Sequence, residues 1–153
     1  MEKDKWFFKV HSASTSGKTY KVAIKFRNIL NLLFKALRDE KIWKEGQEEI
    51  DYRKLAIEIF PELDMEIGCE CPAFQYWGGA YILTKRGSKY GRPETRRPKI
   101  RNPHEYGAFC KHIQLVQDLL PMYASTFSKY LKQTYAKEIA ELLGDIEKGR
   151  SEK

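Results

Sequence analysis

Two short pairs of metal-binding residue types constrain this chain more than any other feature of its sequence. Cys69 and Cys71 form a Cys-x-Cys pair, Cys110 and His112 form a Cys-x-His pair, and together they use all three cysteines of the chain. A structural zinc ion takes four such ligands in a tetrahedron, commonly as two closely spaced pairs. Residues two apart on a tight turn can direct both side chains at one ion. The pattern therefore predicts a structural zinc site that joins two distant parts of the chain.

Three other interpretations of these residues compete with zinc binding. Three cysteines cannot complete a disulfide set, which normally has an even number of cysteines at dense spacing. Cys110 can instead be a small buried hydrophobic residue with His112 on the surface. The two residues can also form a nucleophilic dyad, although no supporting acid or Gly-rich oxyanion segment accompanies them. Zinc binding is favoured because none of these interpretations explains why two closely spaced pairs of metal-binding residues occur in one chain.

The N-terminal residues indicate whether the protein is directed to secretion. Residues 2–5 are all charged and no long apolar run follows them, which is unlike a secretory signal peptide. We therefore expect a chain that no signal peptide directs to secretion. In reducing intracellular surroundings close cysteines favour a metal over a disulfide. No apolar run has the length needed to span a bilayer, so no membrane association is expected.

Charge is segregated along the sequence. The net charge is +7, with +7 over residues 1–38, −7 over 39–70 and +7 over 84–101, while residues 102–153 are balanced. Separate regions of opposite sign favour docking onto charged partners. We expect macromolecular partners and no small-molecule substrate.

Apolar periodicity predicts a mixture of strands and helices. The predicted strands cover 6–10, 20–27 and 80–84, and the predicted helices cover 29–43, 52–60, 108–120 and 125–143. The first two strands form a β-hairpin with a basic outer face, and Asp51 is a candidate N-cap for the second helix. Residues 85–108 are rich in glycine and proline, which predicts an irregular loop.

Together these elements predict a single α+β domain over 1–153. It consists of an N-terminal β-hairpin, a helical insertion at 29–62, a zinc-stapled turn-and-helix finger with a long basic loop, and a C-terminal amphipathic helix with a frayed tail at 122–153. An apolar stripe on that helix either packs against the domain, which is favoured, or binds a partner. The stripe comprises Phe127, Leu131, Tyr135, Ile139 and Leu142.

The long loop between the ligand pairs is a candidate contact surface for DNA or RNA. Its predicted contact residues are Lys85, Arg86, Lys89, Arg92, Arg96, Arg97, Lys99 and Arg101. Tyr81 and Tyr90 are interleaved with these cations and suit stacking on bases or sugars. The same composition also fits a loop that embraces an acidic protein surface, such as residues 39–70 or another subunit. Sequence-specific base reading is not expected, because no helix lined with Arg, Asn and Gln accompanies the loop.

The ligand pairs resemble the SWIM-type zinc finger, in which Cys-x-Cys is followed by Cys-x-His. The similarity includes the neighbouring residues, since 69–74 is Cys-Glu-Cys-Pro-Ala-Phe and 110–113 is Cys-Lys-His-Ile. The upstream hairpin, with Val10 and residues 20–24, is similar to the strands that precede that finger. The resemblance implies a small hairpin packed on one helix around zinc, and a role in binding nucleic acid or protein. The ligands that it implies are Cys69, Cys71, Cys110 and His112.

The chain departs from that family in two ways. The spacer between Cys71 and Cys110 has 38 residues, which is longer than usual for the family, and residues 29–62 form an insertion. Residues 69–112 are also similar to small SWIM-like proteins of tailed bacteriophages. That similarity implies a virion component of the head, neck or tail, or an assembly factor, found in the virion or the host cytoplasm.

The sequence therefore favours a non-catalytic structural or assembly protein that docks on other subunits through the basic loop and the C-terminal helix. The alternative is a nucleic-acid-binding module that uses Lys85–Arg101. An enzyme is not expected, because paired acids such as Glu48 and Glu49 have no histidine or Gly-rich turn nearby. A zinc ion with four protein ligands also leaves no position for a catalytic water.

Overall fold

The computed structural model describes residues 3–12, 16–39, 42–43, 49–76, 78–95 and 109–151. Within these ranges the chain forms a three-stranded antiparallel sheet and seven α-helices, which confirms the predicted α+β class. The strands are β1 (Lys5–His11), β2 (Thr19–Phe26) and β3 (Met65–Cys69). The helices are α1 (Ile29–Ala36), α2 (Tyr52–Ile59), α3 (Pro72–Tyr76), α4 (Gly79–Lys85), α5 (Lys111–Leu119), α6 (Ala124–Thr134) and α7 (Ala136–Ser151). Short 3₁₀ turns cover Phe60–Glu62 and Leu120–Tyr123.

The chain divides into two compact units. Unit 1 comprises Met1–Arg27 and Met65–Leu120, and unit 2 comprises Asn28–Asp64 and Pro121–Lys153. Unit 2 therefore combines the two stretches predicted as a helical insertion and a C-terminal helix, which lie far apart in sequence. Unit 1 contains the sheet and all four predicted zinc ligands. One domain over the whole chain stays a prediction.

The sheet of unit 1 has the order β1-β2-β3, with β2 in the centre. β1 and β2 form the predicted hairpin, in which Trp6 pairs with Ile24 and Val10 with Tyr20. Alternate residues face the core, as a period of two requires. The buried residues of that inner face are Trp6, Val10, Val22, Ile24, Phe26, Ile67 and Cys69. The third strand was not predicted, although Met65, Ile67 and Cys69 alternate with Glu66 and Gly68. A period of two over only five residues is a weak signal.

The chain returns to the free edge of β3 after α4. The Ile67 amide donates to the Ser88 carbonyl at 2.8 Å, and the Tyr90 amide donates to the Ile67 carbonyl at 3.0 Å. This short parallel pairing brings Tyr90 over Gly68, where a Cβ atom would lie 3.3 Å from the Tyr90 carbonyl oxygen. Glycine at position 68 permits the approach. The start of the predicted basic loop is therefore attached to the sheet.

The predicted strand over 80–84 is wrong, because these residues lie in helix α4. Gly78 precedes the helix with a φ of 107°, a left-handed conformation that glycine adopts readily. Ala80, Ile82 and Leu83 are all buried, so the helix places its apolar residues in the interior of unit 1, to which it belongs. A short run of apolar residues does not distinguish a buried strand from a buried helix, and here packing decided the outcome.

Four helices belong to unit 2, in which α2 packs against α1 and α6. The predicted N-cap of α2 is confirmed, since the Asp51 carboxylate accepts the Lys54 amide at 3.2 Å. Phe127 is fully buried and meets Phe60 edge to face, with ring centroids 5.5 Å apart. The segment Asn28–Asp64 is closed by the side-chain amide of its first residue. The Asn28 amide group donates to the Glu62 carbonyl, and its oxygen accepts from the Asp64 backbone amide.

Two helix predictions in unit 2 had wrong boundaries. The helix predicted over 29–43 ends at Ala36, and the turn that follows lets both Ile42 and Trp43 be buried. The helix predicted over 125–143 is two helices with a break at Tyr135, and α7 continues through residues predicted as a frayed tail.

The apolar stripe of the C-terminal region packs within the chain, as the favoured interpretation predicted. Its buried members are Phe127, Leu131, Tyr135 and Ile139. No helix within the described ranges is both long enough and apolar enough to cross a membrane.

Candidate metal centre

The first pair of candidate ligands lies where β3 ends and α3 begins. Cys69 is the last residue of β3, and Cys71 immediately precedes the first helical residue. The Cys71 amide donates to the Cys69 Sγ at 3.5 Å, and the Phe74 amide donates to the Cys71 Sγ at 3.4 Å. Amide donors directed at sulfur stabilise the thiolate form that a metal requires. The predicted tight turn is therefore present, and both sulfurs accept hydrogen bonds from its backbone amides.

The second pair lies at the start of α5, as predicted. Cys110 occupies the N-cap position in an extended conformation, with φ −74° and ψ 169°, and His112 is in the first turn. The Gln114 amide donates to the Cys110 carbonyl at 3.0 Å, which closes that turn. Because α5 packs against β2 and β3, its first turn reaches the end of β3.

All four candidate ligand atoms meet at one place. They lie within 4.8 Å of one another, and all four residues are buried. The His112 Nδ1 is 3.8 Å from the Cys69 Sγ and 3.9 Å from the Cys110 Sγ. A zinc tetrahedron with ordinary bond lengths has sulfur–nitrogen edges of about 3.6 Å. The cluster is therefore close in size to a tetrahedral site and can hold a metal ion.

The His112 ring is placed by its neighbours with Nδ1 towards the sulfurs. Only 4% of this residue is exposed, and its ring lies against Tyr20 with centroids 5.0 Å apart. The other nitrogen, Nε2, is buried and has no hydrogen-bond partner among the described residues. When Nδ1 binds a metal, the ring proton resides on Nε2. The sequence did not identify Tyr20 as part of this site, although it did place this residue at the start of the predicted strand over 20–27.

A cleft of about 480 Å³ reaches the centre from one side. Three of the candidate ligands contribute to its wall, and the other lining residues are Ser12, Tyr20, Pro72, Ala73, Phe109 and Lys111. The cleft therefore reaches Cys71, Cys110 and His112, whereas Cys69 is not among its lining residues.

The three thiols influence one another strongly because they share a buried site. Hydrogen bonds from Cys110 and then Cys69 lower the pKa of Cys71 to about 2, so Cys71 carries the thiolate. The pKa of Cys69 is raised by its hydrogen bonds with Cys110 and Cys71 and by burial. For Cys110, the hydrogen bond with Cys69 lowers the pKa, but the contact with Cys71 and burial outweigh it and raise the pKa. One negative charge is thus held by a hydrogen-bonded group of three sulfurs.

The predicted contact residues of the basic loop are only partly described. Arg96, Arg97, Lys99 and Arg101 lie outside the described residues. Lys85 ends α4 with its ammonium 5.5 Å from the Tyr81 ring, and Arg86 and Arg92 are exposed. These side chains belong to unit 1, together with the candidate metal centre.

Lys89 differs from the other described cations of the loop. Its ammonium donates to the carbonyls of Tyr90 and Arg92, and partial burial lowers its pKa. The Gly87 carbonyl, three residues earlier than Tyr90, accepts from the Arg27 guanidinium at 2.6 Å. Lys89 therefore stabilises the path of the loop, and a contact with a phosphate requires it to leave these carbonyls.

Comparison with known proteins adds no family to these observations. No protein-family model, curated protein or solved structure matches the chain. The resemblance to SWIM-type fingers therefore depends on the ligand pattern and stays a proposal.

Proposed function

We propose that this chain is a non-catalytic binding module whose unit 1 is stabilised by a structural zinc ion. The observation that supports this proposal is the buried meeting point of Cys69, Cys71, Cys110 and His112. Each of the two pairs is held by its own turn, and the pairs are brought together by the packing of α5 on the sheet. A metal bound there connects the end of β3 to the start of α5.

The chemistry of the ligands favours zinc among the common metal ions. Three sulfurs and one imidazole are soft to borderline ligands, whereas calcium and magnesium prefer sets of oxygen atoms. Copper(II) and nickel(II) favour planar or tetragonal sites of nitrogen and oxygen. A buried set of three sulfurs and one nitrogen is typical of structural zinc.

The number of protein ligands supports a structural role over a catalytic one. Catalytic zinc sites have three protein ligands and keep the fourth position for water or substrate. Here four candidate ligand side chains meet, enough to complete a tetrahedron around one ion, and two backbone amides direct their hydrogen atoms at the sulfurs. The ion would contribute to folding rather than activate a substrate.

Cobalt substitution tests both the ligand set and the closed coordination shell. We expect the chain as purified to contain one zinc ion, and cobalt(II) in its place to show the strong thiolate charge-transfer and tetrahedral ligand-field absorption of a Cys₃His site. Azide or thiocyanate should leave this spectrum unchanged, because no coordination position is open.

Two results would contradict the proposal. A chain that binds neither zinc nor cobalt has no structural site, and a spectrum that changes on azide addition indicates an open position suited to catalysis. His11→Asn is the matched control, because it removes an exposed histidine of β1 that is distant in sequence from both pairs.

An assembly role is the second candidate. The resemblance to small phage proteins supports docking onto other subunits in the virion or host cytoplasm. Because the stripe of the C-terminal helices is buried, the exposed apolar side chains of unit 2 offer a different surface, with Leu30 on α1 and Ile57 on α2.

Mass spectrometry of particles purified from the native source tests this role. We expect the chain to be retained in the particles through a high-salt wash, because an apolar contact does not depend on screened charges. Its absence from purified particles would contradict a virion component.

A further inference from the structure

The outer face of the sheet carries an aromatic pair formed by Phe7 and Tyr90. Phe7, Ala23 and Gly68 lie side by side across the three strands, because Phe7 pairs with Ala23 and Ala23 pairs with Gly68. Ala23 and Gly68 are small, which leaves space over them on the outer face of the sheet. Tyr90 fills that space, and its ring meets Phe7 edge to face with centroids 6.3 Å apart.

The position of this aromatic pair is built into the fold. Tyr90 is held by its backbone hydrogen bond to Ile67, and its Cβ lies within 3.4 Å of where a Gly68 Cβ would be. Phe7 remains 42% exposed although it is a large apolar side chain in a strand. Helix α5, which packs on β2 and β3, also carries His112 to Cys69 of the inner face, so it lies on the opposite side.

Lysines surround the aromatic pair. The Lys21 ammonium is 5.0 Å from the centre of the Phe7 ring, and the Lys5 ammonium is 5.7 Å from the centre of the Tyr90 ring. The strand register places Lys9 opposite Lys21 and Lys25 opposite Lys5 on the same face. This face therefore presents four ammonium groups around two aromatic rings.

Two glutamates on this face reduce its positive charge without cancelling it. Glu70 lies 3.7 Å from the Lys21 ammonium, and Glu66 lies 3.8 Å from that of Lys25. Ion pairs between exposed side chains are weak and can be exchanged for a stronger partner. The exposed Arg92 follows Tyr90 by two residues and adds positive charge at the edge of the sheet.

We propose that this outer sheet face, with Phe7 and Tyr90 at its centre, binds single-stranded nucleic acid. An unpaired base stacks on the Phe7 ring while the surrounding lysines contact the phosphates on either side. The proposal rests on the proposed function, because the zinc ligand Cys69 is the residue next to Gly68 and fixes the end of β3. It also moves the predicted contact from the loop alone to the sheet to which the loop is attached.

The aromatic pair favours a single strand over the other charged partners. An acidic protein surface could form ion pairs with the lysines, but such a contact does not require exposed aromatic rings. Bases in a duplex are already stacked and paired, whereas unpaired bases can stack on aromatic side chains displayed by an antiparallel sheet. A lysine above an exposed ring makes only a weak contact, so an incoming base can displace it.

Fluorescence anisotropy with a labelled oligo(dT) strand tests the stacking contact in the full chain at low salt. Phe7→Ala should weaken binding roughly tenfold, because base–aromatic stacking depends on the ring. Phe7→Tyr should retain most of the affinity. Phe34→Ala is the matched control, since Phe34 is 40% exposed and also has a cation, the Arg38 guanidinium, 3.9 Å from its ring centre.

The salt dependence of the same binding tests the lysines. The double variant Lys5→Gln/Lys9→Gln should reduce the slope of log affinity against log salt by about 1 to 2, because each lost phosphate contact releases one counterion fewer. Lys35→Gln/Lys129→Gln removes two exposed lysines from unit 2 and should leave the slope unchanged.

Three results would overturn the inference: no binding to the single strand at low salt, equal affinities of Phe7→Ala and Phe34→Ala, or tighter binding to duplex or polyglutamate than to oligo(dT). Zinc content measured on the same samples separates the two proposals. Zinc-loaded protein with binding insensitive to Phe7 contradicts only this inference. A chain without zinc whose binding still depends on Phe7 contradicts only the structural metal.

Discussion

Cys71→Ser is expected to abolish zinc binding and unfold unit 1. The change removes the sulfur that carries the thiolate and that accepts the Phe74 amide, and it leaves three ligands in a buried site. A structural zinc ion contributes on the order of 10 kcal/mol to the folding of a small metal-dependent domain. Because a whole domain is usually stable by only about 5–15 kcal/mol, the loss of the ion is sufficient to unfold unit 1.

Metal analysis, thermal unfolding and hydrogen exchange together measure this effect. We expect no bound zinc and rapid amide exchange in β2, whereas α2 and α6, which pack on each other in unit 2, should keep more of their protection. His11→Asn should behave like the wild type in all three measurements. Full zinc occupancy and an unchanged melting temperature in Cys71→Ser would show that Cys71 is not a ligand.

The affinity for zinc is expected to rise by roughly a hundredfold for each unit of pH around pH 7 to 8. The pKa values of Cys69 and Cys110 are raised, so both thiols hold their protons in this range, while Cys71 is already ionised. A metal ion binds all three as thiolates and must displace two protons. Protons therefore compete with the metal, and lowering the pH weakens binding.

Competition with a chelator at several pH values measures this slope. Calorimetry in buffers of different ionisation enthalpy gives an independent count of the released protons, which we expect to be close to two per ion. A slope near zero would mean that the thiols are ionised before the metal arrives. His11→Asn should show the same slope as the wild type, because this histidine is not one of the four candidate ligands.

The two proposed sites share one strand. Cys69 faces the inner side of β3 towards His112, while Gly68 faces the outer side beneath Tyr90. Adjacent residues of a strand point to opposite faces, so a metal that fixes Cys69 also fixes the floor of the aromatic pair. Loss of zinc is therefore expected to weaken nucleic-acid binding without any change in the residues of that surface.

Local signals in the sequence determined much of unit 1. The spacing of the two ligand pairs identified four residues that the structure brings together, and the turn and helix start that carry them were predicted correctly. The alternation of apolar residues identified the hairpin formed by β1 and β2. These features depend on neighbours in sequence, so they can be deduced without knowledge of the fold.

The outer-face contact residue Phe7 was not predicted, although a signal for it was present. Lys5, Phe7 and Lys9 alternate with the buried Trp6 and the half-buried Phe8, so a strand must place an aromatic ring between two lysines on its outer face. That ring gains a partner only because Tyr90, which is 83 positions later, lies over Gly68. Nothing local indicates this pairing.

Only the tertiary structure decided the rest. The strand β3 exists because it pairs with β2, and residues 80–84 are helical because their apolar side chains are buried on one side of α4. The division into two units joins segments at opposite ends of the chain. Contacts between residues distant in sequence control these outcomes, and their free energies outweigh local propensities that amount to about 1 kcal/mol or less per residue. The candidate ligands could be identified from the sequence, whereas the aromatic pair of Phe7 and Tyr90 is formed only when distant parts of the chain fold together.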